Sequence, residues 1–473
     1  MKVLLVNQPD TEVILANNPE ILEEERGYNP PLGILYVAGA LKQAGIDVEV
    51  LDAQVERLDY EQLENRIRSN KPDAVGMTLM TFTIFDVIKT AKVVRKIDKN
   101  IKIVLGGPHV FIYPEETLLQ DWVDIIQIGE GEKNTPELFK NIKDLEKLKT
   151  IPGVGIKNED GTFQINPPDE AIKDLDDLPF PARELTPIQK YSSVIAKRNP
   201  ITTMFTSRGC PYKCLFCNRP HLGKTFRARS AENVIEEFKV CFDLGIREFL
   251  IYDDTFTINR ERVVDFCELM KKTGLNTKVG FDIRARVNTV DRELLIMLKE
   301  AGCERIHYGV ESGTEKILKV LRKGITLNQA REVFKITKEV GISTLAYFMI
   351  GSPTETEEDV EKTIDFALEL DPDFVHVTIT SPFPDTPLYA MALEENVIKR
   401  DVWREFAKNP TKDFVAPHWN RELSDETLHR LIKKAYKKFY MRPGYIIRRL
   451  LDLRSFSEFM RKAKAGIKVF LLK

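Results

Sequence analysis

Three cysteines lie within eight positions of the chain, in the stretch TSRGCPYKCLFCNRP that spans residues 206–220. Cys210, Cys214 and Cys217 are separated by three and then by two residues. Thiolates are the ligands of iron–sulfur clusters, and three of them leave one iron of a four-iron cluster open to another molecule. Structural zinc would need a fourth ligand, for which His221 is the candidate, although three residues including a proline separate it from Cys217. The spacing therefore favours a [4Fe–4S] cluster with an open iron over zinc.

The remaining three cysteines lack the spacing of ligands. Cys241 and Cys267 lie in helical segments among apolar neighbours, and Cys303 opens a strand. A buried cysteine outside a disulfide behaves as a small hydrophobe. We therefore expect one cluster and no second one.

A series of alternating strand and helix segments must position the cysteine loop. The strand ITTMFTS directly precedes the loop, and five further strands are predicted at REFLIY, KVGFDIRA, RIHYGV, STLAYFMI and FVHVTIT. Eight such β/α units make a complete TIM-type barrel, so six predict a partial (β/α)6 barrel. Parallel strands of this kind carry the active site at their carboxyl ends, which is where the cysteine loop lies.

The first 150 residues have the pattern of a doubly wound, Rossmann-like α/β domain. The strands KVLLVN, DVEVLDA, DAVGMTLM, KIVLGGP and DIIQIGEG are continuous apolar runs, typical of parallel strands buried on both faces. The ligand of such a fold lies beyond the carboxyl ends of the strands. The residues at these ends are Asn7, Gln8, Thr78, Gly106, Gly107, Pro108, His109, Gly129 and Glu130.

The glycines among these strand-end residues have two interpretations. They let the backbone approach a large flat ligand closely, or they are ordinary turn residues of an α/β domain. No G-x-G-x-x-G follows a strand, which argues against a dinucleotide.

Changes in composition divide the chain further. A β-hairpin that turns at Asp160–Gly161 and a Pro- and Asp-rich stretch without periodicity follow the first domain. We predict four parts: an α/β domain at 1–150, a hairpin and linker at 151–198, the partial barrel at 199–385 and a mostly helical C-terminal region at 386–473.

The chain as a whole is nearly neutral, with 70 Lys and Arg against 72 Asp and Glu. This balance argues against bulk nucleic-acid binding. The sequence has no run of 18 apolar residues, so no membrane span is expected. The opening MKVLLVNQPD predicts a β-strand rather than a secretion signal, and we expect a cytoplasmic protein.

The C-terminal tail differs from the rest of the chain. Residues 431–473 contain thirteen Lys or Arg against Asp452 and Glu458, and apolar residues recur there at helical spacing. A basic amphipathic helix of this kind can lie on the cytoplasmic face of an anionic membrane as a peripheral contact. Alternatively, the helix packs on the barrel and its basic face is solvated.

The cysteine motif, at its place after the first barrel strand, strongly resembles that of the radical S-adenosylmethionine (SAM) family. The segments NPPLGILYVAGAL, KPDAVGMT, VLGGPHV and GEGE resemble the cobalamin-binding domain that precedes many of these enzymes. The resemblance covers about residues 1–400. The chain lacks the Asp-x-His-x-x-Gly segment of some cobalamin domains, so no histidine is expected below the corrin and His109 is interpreted as a loop residue. The absence of cysteine before Cys210 separates the chain from the methylthiotransferases.

The resemblance also implies contacts to SAM. The residues implied are Phe216 beside the adenine, Tyr252, Asp253 and Asp254 near the methionine amino group, Glu311 and Ser312 near the ribose, and Gly351 near the adenine. Arg286 resembles the arginine that pairs with the methionine carboxylate, and a guanidinium suits that bidentate contact. Arg284 lies two residues away on the same strand face, and the choice between the two stays open.

The implied function is cobalamin-dependent radical SAM methylation of an unactivated carbon, through a 5′-deoxyadenosyl radical and methylcobalamin. The implied cofactors are a [4Fe–4S] cluster, SAM and cobalamin, with flavodoxin or ferredoxin as electron donor and an anaerobic setting. A small-molecule, hydrophobic or lipid-like substrate is expected. Two alternatives remain: an oxidative cyclase or rearrangement enzyme similar to the anaerobic magnesium-protoporphyrin ester cyclase, and a non-enzymatic cobalamin- or redox-responsive binding protein.

Overall fold

The computed structural model of the chain describes residues 1–14, 27–158, 160–193, 195–218 and 223–451. Five parallel strands form the centre of the first sheet, in the order β2-β1-β3-β4-β5. They are β1 (Lys2–Asn7), β2 (Asp47–Asp52), β3 (Ala74–Thr78), β4 (Lys102–Gly106) and β5 (Ile125–Gln127). Alternate residues of β1 enter two separate apolar cores, with Val3 and Leu5 in one and Leu4 and Val6 in the other. Burial on both faces explains why the strand is a continuous apolar run.

Helices cover both faces of this sheet. The longer ones are α1 (Leu32–Gln43), α2 (Tyr60–Asn70), α3 (Ile84–Ile97) and α4 (Gly131–Lys140), and shorter ones span Ala53–Glu56, Pro108–Ile112, Pro114–Leu118 and Leu145–Leu148. Helix α2 begins at a capping box in which Asp59 and Gln62 satisfy each other's backbone N–H groups. The doubly wound α/β architecture predicted from the apolar runs is confirmed.

The predicted hairpin belongs to this sheet and not to the connecting segment. Its strands β6 (Val154–Lys157) and β7 (Phe163–Ile165) pair antiparallel with each other, and β6 pairs antiparallel with β5. The sheet therefore has seven strands. The sequence could not indicate this pairing because an edge strand of a parallel sheet can accept an antiparallel neighbour without a local signal.

A second sheet of six parallel strands follows in sequence order, which confirms the partial barrel. Its strands are β8 (Ile201–Met204), β9 (Glu248–Ile251), β10 (Gly280–Ala285), β11 (Cys303–Glu311), β12 (Ser343–Ile350) and β13 (Phe374–Ile379). The helices that connect them are α5 (Ala231–Asp243), α6 (Arg260–Lys272), α7 (Arg292–Glu300), α8 (Glu315–Val320), α9 (Leu327–Val340) and α10 (Glu357–Leu370). Single turns of 3-10 helix span Thr81–Thr83, Arg183–Leu185, Ile188–Lys190 and Leu275–Thr277.

The C-terminal helices are α11 (Pro387–Glu394), α12 (Val402–Lys408), α13 (Asp425–Tyr440) and α14 (Pro443–Leu451). Helix α13 covers the open edge of the barrel at β13. The hydroxyl of Tyr436 accepts from the backbone N–H of Val377 and donates to its carbonyl, both at 3.0 Å, and Tyr440 does the same for Val375 at 3.0 and 2.9 Å. Two tyrosines thus satisfy backbone groups that an exposed edge strand would offer to other chains.

Helix α13 includes the first ten residues of the basic tail, and its apolar face is buried in the barrel core. For this part of the tail, the interpretation as a packed helix with a basic outer face is confirmed. The apolar residues that suggested a membrane-binding face from Phe456 to Leu471 lie outside the described residues. Among the described residues, no helix is both long and apolar enough to cross a membrane.

Candidate active site

The cysteine loop starts directly beyond β8 and is held there by a buried carboxylate. Asp253, which follows β9, accepts hydrogen bonds from the N–H of Thr206 at 2.6 Å, from the N–H of Ser207 at 3.0 Å and from both hydroxyls. Its side chain is 0% exposed. The donors of the loop saturate the oxygens of Asp253, and its predicted place near the methionine amino group stays a prediction. Tyr252 and Asp254, predicted to lie near the same amino group, also follow β9, and their contact with it stays a prediction.

The cysteine loop requires glycine at position 209, shortly after the residues that hydrogen-bond Asp253. Gly209 has a φ of +82°, and a Cβ there would lie 2.2 Å from the carbonyl oxygen of Thr225. The close approach arises because Ser207–Arg208 pairs antiparallel with Arg227–Ala228 in a two-stranded ribbon. The ribbon fixes the direction in which the cysteines enter the site.

The three cysteines lie on one loop between the barrel and the C-terminal helices. Cys210 and Cys214 are buried, Cys217 is half-buried, and none of the three forms a disulfide bond. Leu215 in the middle of the motif donates to the carbonyl of Leu321 and accepts from the N–H of Leu388, both at 2.9 Å. Phe216 packs against the apolar cluster around Leu388 and Trp403, and its predicted place beside an adenine stays a prediction.

Arg286 lies against this loop. Its Nη1 is 3.7 Å from Cys214 Sγ, and its guanidinium is 3.7 Å from the centre of the Tyr212 ring. Nη2 donates to the carbonyl of Lys323. Arg284, by contrast, stacks 4.1 Å from the centre of the Tyr252 ring. The two arginines that the sequence could not distinguish therefore occupy different environments, and Arg286 is the one beside a motif cysteine.

A buried ion pair that the sequence analysis missed lies at the end of β11. Glu311 has a φ of +71° and accepts from Lys323 Nζ at 2.6 Å, and both side chains are less than one-tenth exposed. A Cβ on Gly309 would lie 2.6 Å from each of the two paired atoms. The sequence signal for Lys323 was weak: a basic residue directly before Gly324, a turn glycine with a φ of +65°.

Two predicted SAM contacts have structural partners instead. Ser312 is 0% exposed, and its hydroxyl lies 3.2 Å from that of Thr363 on α10; its predicted place near the ribose stays a prediction. Gly351 has a φ of +76°, and a Cβ there would lie 2.6 Å from a methyl carbon of Leu428 on α13. The glycine is thus required by the packing of a helix, and the reason given from the sequence, an approaching adenine, is not the one the structure supplies.

A cavity of about 380 Å³ opens at the carboxyl ends of the first sheet. The predicted residues that line it are Thr78, Gly106, Gly107, Pro108, Gly129 and Glu130. Gly33 at the start of α1 also lines it, with no atom within 4 Å of an added Cβ. The structure therefore brings six predicted strand-end residues together around one space.

Three predicted residues do not line this cavity. The Asn7 amide donates to Asp52 at 2.7 Å, and Gln8 is 3% exposed. His109 is 1% exposed, and its Nδ1 lies 2.9 Å from the Thr81 hydroxyl. Burial lowers the pKa of His109 to about 4, so the ring is neutral at pH 7. These side chains support the sheet edge, and their predicted contact with the ligand of the cavity stays a prediction.

Glu130 connects the cavity to the cysteine loop. Its two oxygens bind Arg208 Nη1 at 2.8 Å and Arg227 Nη1 at 2.9 Å, and Arg208 also pairs with Glu132. Burial opposes ionisation, but the bond from Arg227 and the charge of Arg208 together hold the pKa of Glu130 below its usual value. Because Arg208 precedes Cys210 by two residues and lines the cavity, one buried ion-pair network joins the two domains.

The residues present suit the predicted cofactors. Among the described residues, no three His, Cys, Asp or Glu side chains converge on a single metal ion. The thiols of Cys210, Cys214 and Cys217 lie on one loop outside any disulfide bond, as the ligands of a [4Fe–4S] cluster must. His221, the fourth ligand considered for zinc, lies outside the described residues. Six glycines are among the residues that line the cavity, and at these positions the backbone is open to close approach by a large ligand.

Comparisons with known proteins agree with this arrangement. Residues 204–367 match the radical SAM superfamily, and residues 21–139 match the B12 binding domain. An uncharacterised methyltransferase of Pyrococcus horikoshii is 35% identical over 430 residues, which cover 90% of this chain and 91% of that protein. The anaerobic magnesium-protoporphyrin IX monomethyl ester cyclase of Rubrivivax gelatinosus is 29% identical over 433 residues, which cover 89% and 76%. The hopanoid C-3 methylase of Methylococcus capsulatus is 27% identical over 365 residues, which cover 75% and 67%.

The cobalamin-dependent SAM radical enzyme OxsB, solved with aqua-cobalamin bound, shares the fold with a TM-score of 0.76 at 19% identity. The match covers 100% of this chain and 72% of that chain. The predicted combination of a B12-binding domain, a partial radical SAM barrel and a helical C-terminal region is thereby confirmed, as are the predicted cofactors. The chain belongs to the cobalamin-dependent radical SAM methyltransferase family, whose cofactors are a [4Fe–4S] cluster, SAM and cobalamin.

Proposed function

We propose that this enzyme methylates an unactivated carbon of a hydrophobic or lipid-like substrate. The observation that carries the proposal is a buried ion-pair network. It joins the cysteine loop to the wall of the 380 Å³ cavity at the carboxyl ends of the first sheet, which we call the B12 cavity. Its members are Glu130, Glu132, Arg208 and Arg227. Methyl transfer requires that the methyl donor and the source of the radical are held at fixed positions relative to each other. The hopanoid methylase, whose name describes methylation of a lipid, supports the class of substrate.

The cofactors supply the hydrogen abstraction and the methyl group, and the protein's own residues position them. In this proposal Cys210, Cys214 and Cys217 hold the cluster, and Arg286 binds the methionine carboxylate beside Cys214. The backbone at Gly106–Pro108 and Gly129 lines the cobalamin site. An electron donor such as flavodoxin or ferredoxin would reduce the cluster.

The experiment uses enzyme reconstituted anaerobically with iron, sulfide and cobalamin, and SAM that carries a trideuterated methyl group. Incubation with membrane lipid extract should yield 5′-deoxyadenosine together with a lipid that has gained a trideuteromethyl group. Formation of 5′-deoxyadenosine without a methylated product would favour the cyclase or rearrangement alternative, for which the similarity to the ester cyclase is the supporting observation. Absence of 5′-deoxyadenosine under all conditions would favour the other alternative, a non-enzymatic cobalamin- or redox-responsive binding protein.

We also propose a peripheral membrane contact through the tail beyond α13. In α13 itself Arg430, Lys434 and Lys438 pair with carboxylates on α10, which reduces their attraction for lipid. Ile446 and Ile447 on α14 are 38% and 58% exposed and could enter an interface.

The test of this contact is flotation with anionic liposomes, comparing the full chain with a chain that ends at Tyr440, the last residue of α13. Binding should weaken with salt and should be lost on truncation. Binding that survives the truncation, or that ignores lipid charge, would contradict the contact.

A further inference from the structure

A second cavity, of about 190 Å³, lies inside the barrel between β9 and β12. The B12 cavity shares none of its lining residues. Its polar wall is formed by Asn29, Tyr252, Asp282, Arg284, His307 and Tyr347. Asn29 comes from the first domain and donates to the Tyr252 hydroxyl at 2.9 Å, so the cavity lies where the two domains meet.

Within the part of the chain that the structure describes, the wall of this cavity carries one positive charge, that of Arg284, without a paired carboxylate. Its carboxylate, Asp282, is already paired with Arg305 at 2.7 Å, and both side chains are less than 5% exposed. Among the residues that the structure describes, Arg284 forms no ion pair with a carboxylate; its guanidinium stacks on Tyr252 and hydrogen-bonds the Tyr347 side chain. A guanidinium in a partly dry cavity is costly without a counter-ion. The electrostatics therefore favour an anionic occupant.

Two residues that line the cavity have hydrogen-bond acceptors to which no group of the described residues donates. Within the described part of the chain, Asn29 Oδ1 and Asp282 Oδ1 are buried and have no hydrogen-bond partner. His307 Nδ1 lies 3.1 Å from the Tyr347 hydroxyl, and burial lowers the pKa of His307, so this pair is neutral near pH 7. An occupant with a hydroxyl next to its anionic group would satisfy both features.

The position of Arg284 separates this cavity from the cluster. Arg286 lies 3.7 Å from Cys214 Sγ and therefore belongs to the cysteine loop, which would hold the cluster. Arg284 precedes it by two residues along β10, which places its backbone about 7 Å deeper in the barrel at about 3.3 Å per residue. The two arginines can thus bind two different molecules.

We propose that this cavity binds an anionic group, a phosphate or a carboxylate, of the molecule that accepts the methyl group, with Arg284 as its ion-pair partner. A hydroxyl next to that group would donate to Asn29 and Asp282. The assignment to the methyl acceptor depends on the proposed function, whereas the anion site itself does not. The acceptor would then be an amphiphile, with its charged end in the barrel and its apolar part directed toward the cobalamin domain.

The experiment measures anion binding by calorimetry to the full-length reconstituted enzyme. The probes are methyl phosphate and glycerol 1-phosphate, and acetate and glycolate, so that each class has one member with a hydroxyl. Arg284→Gln should weaken the binding of the preferred class by about tenfold or more, because an ionic hydrogen bond is lost. Arg284→Lys should recover part of it. Arg247→Gln is the matched control, since Arg247 stacks at the same 4.1 Å on Phe242 outside the barrel.

Two results would overturn the site: no binding of any probe to the native enzyme, or equal binding to Arg284→Gln and the native enzyme. A third measurement tests the separation from SAM. The affinity for SAM should fall more in Arg286→Gln than in Arg284→Gln, and the affinity for the probes should fall more in Arg284→Gln. The opposite order would place Arg284 in the SAM site. None of these measurements needs methyl transfer, so failure of the proposed reaction would be distinguishable from failure of the anion site.

Discussion

Replacing Asp253 by asparagine should loosen the segment that leads into the three cysteines. The carboxylate of Asp253 is 0% exposed and accepts from the N–H groups and hydroxyls of Thr206 and Ser207. It also lies 3.7 Å from Arg262 Nη2, a second buried group. Asparagine has the same shape, but it turns one acceptor oxygen into an NH₂ group: Oδ1 accepts from the two N–H groups and Oδ2 from the two hydroxyls, so either replacement removes an acceptor that two donors share.

The size of the effect follows from these contacts. A hydrogen bond to a charged group stabilises by about 1.5–3 kcal/mol. With two of the four bonds lost, and with some relaxation of the loop, the segment should lose about 3 kcal/mol of local stability. Because each 1.4 kcal/mol is a factor of ten, the protection of the Thr206 and Ser207 amides should fall about a hundredfold.

Hydrogen exchange followed by mass spectrometry measures this protection in the full-length apoprotein. Asp243→Asn, an exposed carboxylate at the end of α5, is the matched control and should leave the exchange of this segment unchanged. If Asp253→Asn weakened SAM binding while leaving the two amides protected, the carboxylate would face the methionine amino group after all. The structural role that we assign to it would then be refuted.

The remaining predictions concern the cluster, the cobalamin and one buried acid. Cys210→Ala should abolish 5′-deoxyadenosine formation and lower the iron content from about four per chain, whereas Cys303→Ala should preserve both; zinc in the purified protein would contradict this. Paramagnetic resonance of cobalt(II) cobalamin should lack nitrogen splitting and be the same in His109→Ala, and clear nitrogen coupling would disprove the absence of a histidine ligand. Burial raises the pKa of Glu355 from 4.5 to about 8, so the folded protein favours the protonated carboxyl group. The protonated group therefore contributes its full stabilisation below pH 4.5, and this stabilisation is lost as the pH rises through 8. Glu355→Gln should therefore gain thermal stability over the native enzyme more at pH 9 than at pH 5, and an equal difference at both values would show that Glu355 is ionised in the fold.

Local patterns in the sequence were sufficient for the architecture and for the location of the site. Continuous apolar runs identified the parallel strands, and the spacing of Cys210, Cys214 and Cys217 identified the loop beyond β8. Because the carboxyl ends of parallel strands meet at one edge, the strand-end residues of the first domain could be grouped without coordinates. Six of them line one cavity.

The partners of individual side chains required the tertiary structure. Asp253 follows a strand as a SAM-binding carboxylate would, but it turns toward Thr206, 47 residues earlier in the chain. Gly351 is next to a helix that begins 74 positions later, at Asp425. The ion pair of Glu130 with Arg208 spans 78 positions.

Periodicity and spacing describe which face of an element is buried and where it ends, since both depend on neighbours within a few residues. They contain no information on which distant group completes a hydrogen bond or fills the space above a glycine. For that reason the sequence by itself determined the fold and the cysteine loop, and its resemblance to the radical SAM family implied the cofactors. Only the packing of the two sheets and the C-terminal helices decided which strand-end residues line a cavity and which ones hold the protein together.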